Sequence, residues 1–325
     1  MYSMKISCAK ALTVTFAVAS LALGALGAQA QQYPTKPVEL VVPFNAGDAP
    51  DTVARELARG MSKHLGQQVI VVNKPGAGGA IGYAYVQSRK ADGYTMVLSS
   101  NSISTTYYSG LLPFTYKMFD PVARVTLEFP VLAVRADSPH KNLKDLVAFV
   151  RQNPGKLSVG STSIGSHMHL TLVGFFSGND LNVTFVPFPK GGHVVSLLGK
   201  EIDAVITLPA SLAAQVQAGS LKVLGVLASA REPVFPDVPT ATEQGFPFQS
   251  DLWRGIHLPK GTPPDVLARI EGAVRQSVMS TEFKKLGENV GYQSAYQGSE
   301  KFAKTIAADD AVIAQSMAKA GLRKN

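Results

Sequence analysis

Residues 38–66 join a strand-length apolar run, a glycine-bearing loop and an amphipathic helical pattern, and this succession constrains the fold more than any other feature of the chain. Val38, Leu40, Val41 and Val42 form the run, Pro43-Phe44-Asn45-Ala46-Gly47-Asp48 breaks it, and Val53, Leu57, Met61 and Leu65 then recur on one face. Asp48 suits the helix N-cap, Pro50 the first turn and Gly66 the end. A strand that runs directly into a helix leaves backbone N–H groups, and the positive end of the helix dipole, pointing beyond the sheet edge. Taken alone, the stretch reads as an ordinary strand-to-helix turn before it reads as an anion socket.

The same design recurs about 115 residues later. Leu157–Val159 reads as a strand, Gly160-Ser161-Thr162-Ser163-Ile164-Gly165-Ser166 as its loop, and a helix follows from His167 to about Phe176. Between and beyond these units strand-like and helix-like segments alternate, which predicts an α/β fold with largely parallel sheets. Predicted strands include 68–72, 95–99, 131–134, 183–186, 204–207, 221–227 and 255–258. Predicted helices include 80–88, 143–151 with Asn142 as cap, 191–198, 210–218, one after Thr262 that buries Leu267, Ile270, Val274 and Val278, and a last one from Ser299. Residues 231–243 read as a proline-bearing ordered loop.

Lys5 and Lys10, an apolar run from Ala11 to Gly27 and Ala28-Gln29-Ala30 have the layout of a secretory leader cut after Ala30. The run is short for a membrane span. Cys8, the single cysteine, precedes the apolar run and so cannot carry a lipid at the cleavage point. The exported chain then has no cysteine, which excludes disulfides, thiol catalysis and thiolate metal sites. Its remaining length suffices for a large core in two domains. The net charge of +8 falls to +6 without the two leader lysines, and the basic residues are scattered. A nucleic-acid partner is not expected, whereas small anions gain slightly in local concentration.

No Gly-x-Ser-x-Gly elbow and no Walker-type loop occurs. Gly76-Ala77-Gly78-Gly79-Ala80-Ile81-Gly82 lacks dinucleotide spacing and reads as a tight glycine-rich connection, so no cofactor is expected. His167 and His169 stand two apart on a helix and do not share a face, so no metal site is expected either. Ser161, Ser163 and Ser166 serve as hydroxyl donors beside helix N–H groups without further help, whereas a nucleophilic role needs a base that the sequence does not locate. Arg254, beside Trp253, reads as a two-pronged carboxylate clamp or as an exposed arginine at a domain junction.

In these residues the chain resembles the exported solute receptors of tripartite tricarboxylate transporters, the Bug family. The likeness is carried by Tyr33-Pro-Thr-Lys-Pro37, Val42-Pro-Phe44 with Gly47 and Asp51, Asn73-Lys-Pro-Gly-Ala-Gly-Gly-Ala-Ile-Gly82 and Asp92-Gly-Tyr-Thr95. It continues in Asn153-Pro-Gly-Lys156, Gly160-Ser161 with Gly165-Ser166 and His169-Leu170, Leu197-Leu-Gly199 with Asp203, Asp237-Val-Pro-Thr240, Trp253 with Gly255, and Gly261-Thr-Pro263. The resemblance implies a type II periplasmic-binding-protein fold, with 31–130 plus 253–325 as one domain and 131–252 as the other. It implies a small organic acid or amino acid as ligand, membrane subunits of the transporter as partners, and no enzymatic activity. The ligand carboxylate is then held in the interdomain cleft by the two loops, partly through water. Phe44, Asn45, Gly47 and Asp48 on one side and Ser161, Ser163, Gly165 and Ser166 on the other are the expected contacts, with Ser100, Asn101, Thr207 and Arg254 nearby. Gly76–Gly82 becomes a structural signature.

This chain has Asp48 where the family's first loop usually has glycine. A helix N-terminus favours an anion by about 0.3–1 kcal/mol, rising to about 2 when partly buried. A second carboxylate about 4 Å away opposes it by about 4 kcal/mol at an effective dielectric near 20. Asp48 therefore turns away to cap its helix, pairs with a ligand ammonium, or marks an uncharged ligand. Ser163 also replaces a usual glycine. The alternatives to an uptake receptor are an exported adaptor or signalling paralogue and a hydrolase built on a serine of 161–166.

Overall fold

The strands of the first repeat and those of the second end up in different sheets. The structure, a computed structural model, describes residues 33–189 and 191–325; the expected leader, its cut after Ala30, and Cys8 lie outside the described residues. Residues 36–325 form one compact unit. β1 (Val38–Val42), β2 (Val69–Asn73), β3 (Thr95–Ser100) and β4 (Phe119–Glu128) belong to the first sheet. β5 (Val131–Arg135), β6 (Ser158–Ser161), β7 (Thr184–Pro187), β8 (Ala204–Thr207) and β9 (Leu221–Val226) make the second. The chain then returns through β10 (Leu252–Pro259) and β11 (Gln293–Gly298) to the first. The orders are β11-β4-β10-β3-β1-β2 and β7-β6-β8-β5-β9.

Both sheets are mixed, which corrects the expectation of largely parallel pairing. β1 runs parallel to β2 and β3, and β6 to β7 and β8. β10 is antiparallel to β3 and β4, β11 to β4, and β5 to β8 and β9. The reason lies in the crossovers. β4 passes through Phe129-Pro130 straight into β5, and β10 is entered from β9 through a loop, so the two strands that arrive by a crossover, β5 and β10, run against the βα units of the sheets they join.

Helices cover both faces. α1 (Ala49–Leu65), α2 (Ala80–Gln87) and α3 (Ser102–Tyr108) follow β1, β2 and β3. α4 (Leu143–Gln152), α5 (His167–Gly178), α6 (His193–Leu198) and the short α7 (Ala213–Gln217) surround the second sheet. α8 (Pro264–Val278), α9 (Thr281–Val290) and α10 (Ser299–Lys319) complete the first. α1 buries Val53, Leu57, Met61 and Leu65 and stops at Gly66, whose φ of +74° only glycine adopts cheaply. α4 is capped as expected: Asn142 Oδ1 accepts from the Asp145 N–H at 2.9 Å. In α8 the cap is Pro263, while Thr262 donates its hydroxyl to the Pro259 carbonyl, and Val266 rather than Leu267 faces the core. The expected helix over 210–218 is a 3₁₀ turn, Pro209–Ser211, followed by α7.

Both faces of the second sheet are apolar. Leu146, Val150, Phe175 and Phe176 pack on Val134, Val159 and Ile206 on one side. Val194, Leu197 and Leu212 pack on Val131 and Val205 on the other. Strands buried on both faces read as unbroken apolar runs, which is why β5 and β8 were recognisable. Four elements had no such signal: α3, β4, α9 and β11. β4 is interrupted by Asp120, Pro121 and Arg124, and β11 is a half-exposed edge strand of sequence QSAYQG. Among the described residues no helix is long and apolar enough to cross a membrane.

Candidate functional site

The loop between β1 and α1 is held from behind by a carboxylate that no expectation had singled out as a site residue. Asp51, 3% exposed, accepts from the Gly47 N–H at 2.9 Å, from Arg55 Nε at 2.9 Å and from Asn73 Nδ2 at 3.0 Å. Asn73, the last residue of β2, also donates to the Phe44 carbonyl at 3.2 Å. Burial alone would raise the Asp51 carboxyl, but these three donors outweigh it and hold it below its ordinary value. The Asp51–Arg55 spacing of four on a helix, with an asparagine closing the neighbouring strand, was the available signal. So anchored, the loop presents Asn45, Gly47 and Asp48 to solvent, with Phe44 half-buried.

Asp48 does not do what its position suggests. Its backbone has the extended N-cap conformation, φ −71° and ψ 163°, yet its side chain accepts no N–H of α1. It receives Asn45 Nδ2 at 3.2 Å instead. Capping, one of the three readings of Asp48, is therefore not the one realised.

The loop between β6 and α5 is built from hydroxyls and backbone. Ser166 caps α5, its Oγ accepting from the His169 N–H at 3.2 Å, and lies 2.7 Å from Thr162 Oγ1. Gly165, at φ +78°, donates its N–H to His169 Nδ1 at 3.0 Å. His169 stacks on Phe185 at 4.3 Å, and burial lowers its pKa, so the ring is a neutral acceptor. Ser161 is fully buried and donates to the Ile206 carbonyl at 3.1 Å, beneath the loop. Ser163 is half-buried. Thr207, at the end of β8, shares a 2.8 Å hydrogen bond with His193 Nε2. The Ser161 and Ser166 hydroxyls thus hydrogen-bond to backbone groups and to Thr162, with no ring nitrogen as partner. His167 turns the other way, its Nε2 within 3.3 Å of the Ser250 carbonyl, and shares no ligand with His169.

The residues expected beside the loops lie deeper. Ser100 Oγ donates to Ser102 Oγ at 2.9 Å in a buried chain that reaches Tyr83. Asn101, with no exposure, accepts from the Trp253 N–H at 2.9 Å and donates to Asp309, whose other donor is Trp253 Nε1. Burial pushes the Asp309 carboxyl up to about 6 against those two donors. Arg254 corrects both readings of it. It is 4% exposed, and its guanidinium grips Glu128, the last residue of β4, through Nε to Oε1 and Nη2 to Oε2. The clamp is two-pronged, but its carboxylate belongs to the protein, because a buried guanidinium needs a fixed counter-charge.

Glu232, in the loop returning from β9, lies close enough for Glu128 to affect it. It is 1% exposed, accepts weakly from the Val234 N–H, and its Oε2 has no partner. Burial, reinforced by Glu128, pushes its carboxyl from 4.5 up to about 7. A folded-state pKa above the unfolded one means that the native state binds more protons, so this group's contribution to stability declines as pH rises from 4.5 to about 7. Buried His167 and His257, lowered to about 4 and about 3 by desolvation, act oppositely and favour the folded state as pH rises towards 6.5. The Glu232 contribution is isolated by comparison: Glu232→Gln is expected to gain about 2–3 kcal/mol over the wild type at pH 8 and little at pH 4. Urea unfolding at the two pH values measures it, and a gain independent of pH would refute the assignment.

Residues 53–321 match the family described as "Tripartite tricarboxylate transporter family receptor". The chain is 33% identical over 257 residues to protein BugT of Bordetella pertussis, covering 77% of this chain and 79% of BugT. The solved structure of periplasmic binding protein BugD is similar with a TM-score of 0.80 and 31% identity, over 90% of this chain and all of that one. A structure of Rpa4515 from R. palustris with adipate gives a TM-score of 0.81 and 26% identity, over 89% of this chain and 98% of that one.

Proposed function

The chain belongs to the tripartite tricarboxylate transporter receptor family, and on that premise we propose that it captures a small carboxylate-bearing solute between its two sheets and presents it to the membrane subunits of such a transporter. The supporting observation is the pair of strand–loop–helix units, one on each sheet, each loop leading to a helix N-terminus, the first held by Asp51 and the second by the Ser161 hydroxyl on the Ile206 carbonyl. Phe44, Asn45, Gly47 and Asp48 form one wall and Ser163, Gly165 and Ser166 the other. Ser161 and Thr207 shape the second wall from below, and Ser100, Asn101 and Arg254 support the site without touching the ligand. The lobes are 31–130 with 253–325, and 131–252, and hinge at the crossovers through Phe129-Pro130 and before Leu252. A leader removed after Ala30 delivers the chain to the periplasm.

Thermal unfolding against mono- and dicarboxylates, their amino-acid counterparts and aromatic acids tests this reading. A ligand at one hundred times its dissociation constant adds about 2.7 kcal/mol, a rise of roughly 4–5 °C in a chain of this length. No shift with any member refutes capture of such solutes, and turnover of an ester by a variant-sensitive serine would return the hydrolase reading.

A further inference from the structure

We propose that Asp48 is a charge filter at the mouth of the cleft and that the solute carries an ammonium group beside its carboxylate, an inference that rests on the receptor reading above. The two acids of the first loop have opposite circumstances. Asp51 is buried and satisfied by Gly47, Arg55 and Asn73. Asp48 is exposed, caps nothing, and touches only the neutral amide of Asn45. The nearby cation, Arg55, is directed to Asp51 and Asn73, and none of the ion pairs among the described residues includes Asp48. One wall thus carries an uncompensated negative charge.

The other wall has the opposite character. From Leu157 to Asn179 the sequence contains no acid, and the loop offers the half-buried Ser163 and Ser166 and the first turn of the twelve-residue α5. A carboxylate is therefore favoured at the second wall and opposed at the first. A dicarboxylate that places one end at each loop meets Asp48 with like charge. A zwitterion places its ammonium against Asp48 and its carboxylate against the α5 N-terminus, and closure of the lobes removes the water that would screen the pair. An uncharged ligand avoids the repulsion but gains nothing from Asp48.

Titration calorimetry with ligand pairs that differ only by an ammonium tests the filter: butyrate with 2-aminobutyrate, glutarate with glutamate, and adipate with 2-aminoadipate. The wild type is expected to prefer the amino acid at least tenfold in the pair that fits its cleft. Asp48→Asn is expected to abolish or invert that ratio, while Asp48→Glu, which keeps the charge, preserves the preference. Equal binding within each pair by the wild type, or an unchanged ratio in Asp48→Asn, overturns the filter and leaves the receptor reading standing. Absence of binding by every acid and amino acid overturns both.

Discussion

Arg254→Ala is expected to destabilise the protein by about 3–5 kcal/mol, because it leaves the Glu128 carboxylate buried without its counter-charge. In a chain of this length the midpoint of thermal unfolding falls by roughly 5–8 °C. The alternative explanation, lost packing of a large side chain, is separated by the double replacement Glu128→Met with Arg254→Met. Removing both charges while filling the space is commonly neutral or stabilising for buried pairs, so the double variant is expected to unfold within a few degrees of the wild type or above it. If the double variant is as unstable as Arg254→Ala, charge pairing is not what joins these strands. The pair connects β4, which leads into the second sheet, with β10, which returns from it, so calorimetric ligand titration of the double variant also reads whether it sets the hinge.

Ser166→Asp is expected to weaken binding of a carboxylate ligand at least a hundredfold while leaving the fold intact. Aspartate caps a helix about as well as serine, so the His169 N–H keeps its acceptor and the unfolding midpoint moves by only about 1–2 °C. The new charge meets the ligand carboxylate at the start of α5, where repulsion at about 4 Å outweighs the dipole's attraction. Titration with whichever solute gives the largest thermal shift measures it. Retained affinity would remove this loop from the ligand's carboxylate and move the search to the first wall. A midpoint that falls together with affinity would show instead that the aspartate fails as a cap.

Both strand–loop–helix units are legible in the sequence. The apolar run 38–42, the 3.6-residue pattern of Val53, Leu57, Met61 and Leu65, and the Gly/Ser loop after Leu157–Val159 depend only on neighbouring residues, and the Asn142 cap follows from local hydrogen-bonding chemistry. Asp51 was legible as part of a resemblance but not as the post that holds the first loop, since its partner Asn73 lies on the next strand, 22 residues away. The fates of Arg254 and Asn101 were not legible. Arg254 meets Glu128 across 126 positions and Asn101 meets Asp309 across 208, and no local pattern marks either pairing. β4 and β11 were hidden for a related reason: a strand with proline and charges, or one lying half-exposed at an edge, is stabilised by its neighbours rather than by its own pattern.

The sequence by itself determined the βα units, their order, and the placement of a glycine- or serine-bearing loop at the start of α1 and of α5, because these depend on interactions within a few residues. Only the tertiary structure decided that the sheets are mixed, that Arg254 meets Glu128 and Asn101 meets Trp253 and Asp309, and that the Asp48 side chain neither caps α1 nor enters an ion pair among the described residues. Each of these depends on which distant strand or helix arrives beside a side chain, and buried charges and amides take whatever counter-charge or hydrogen-bond partner that packing brings within reach.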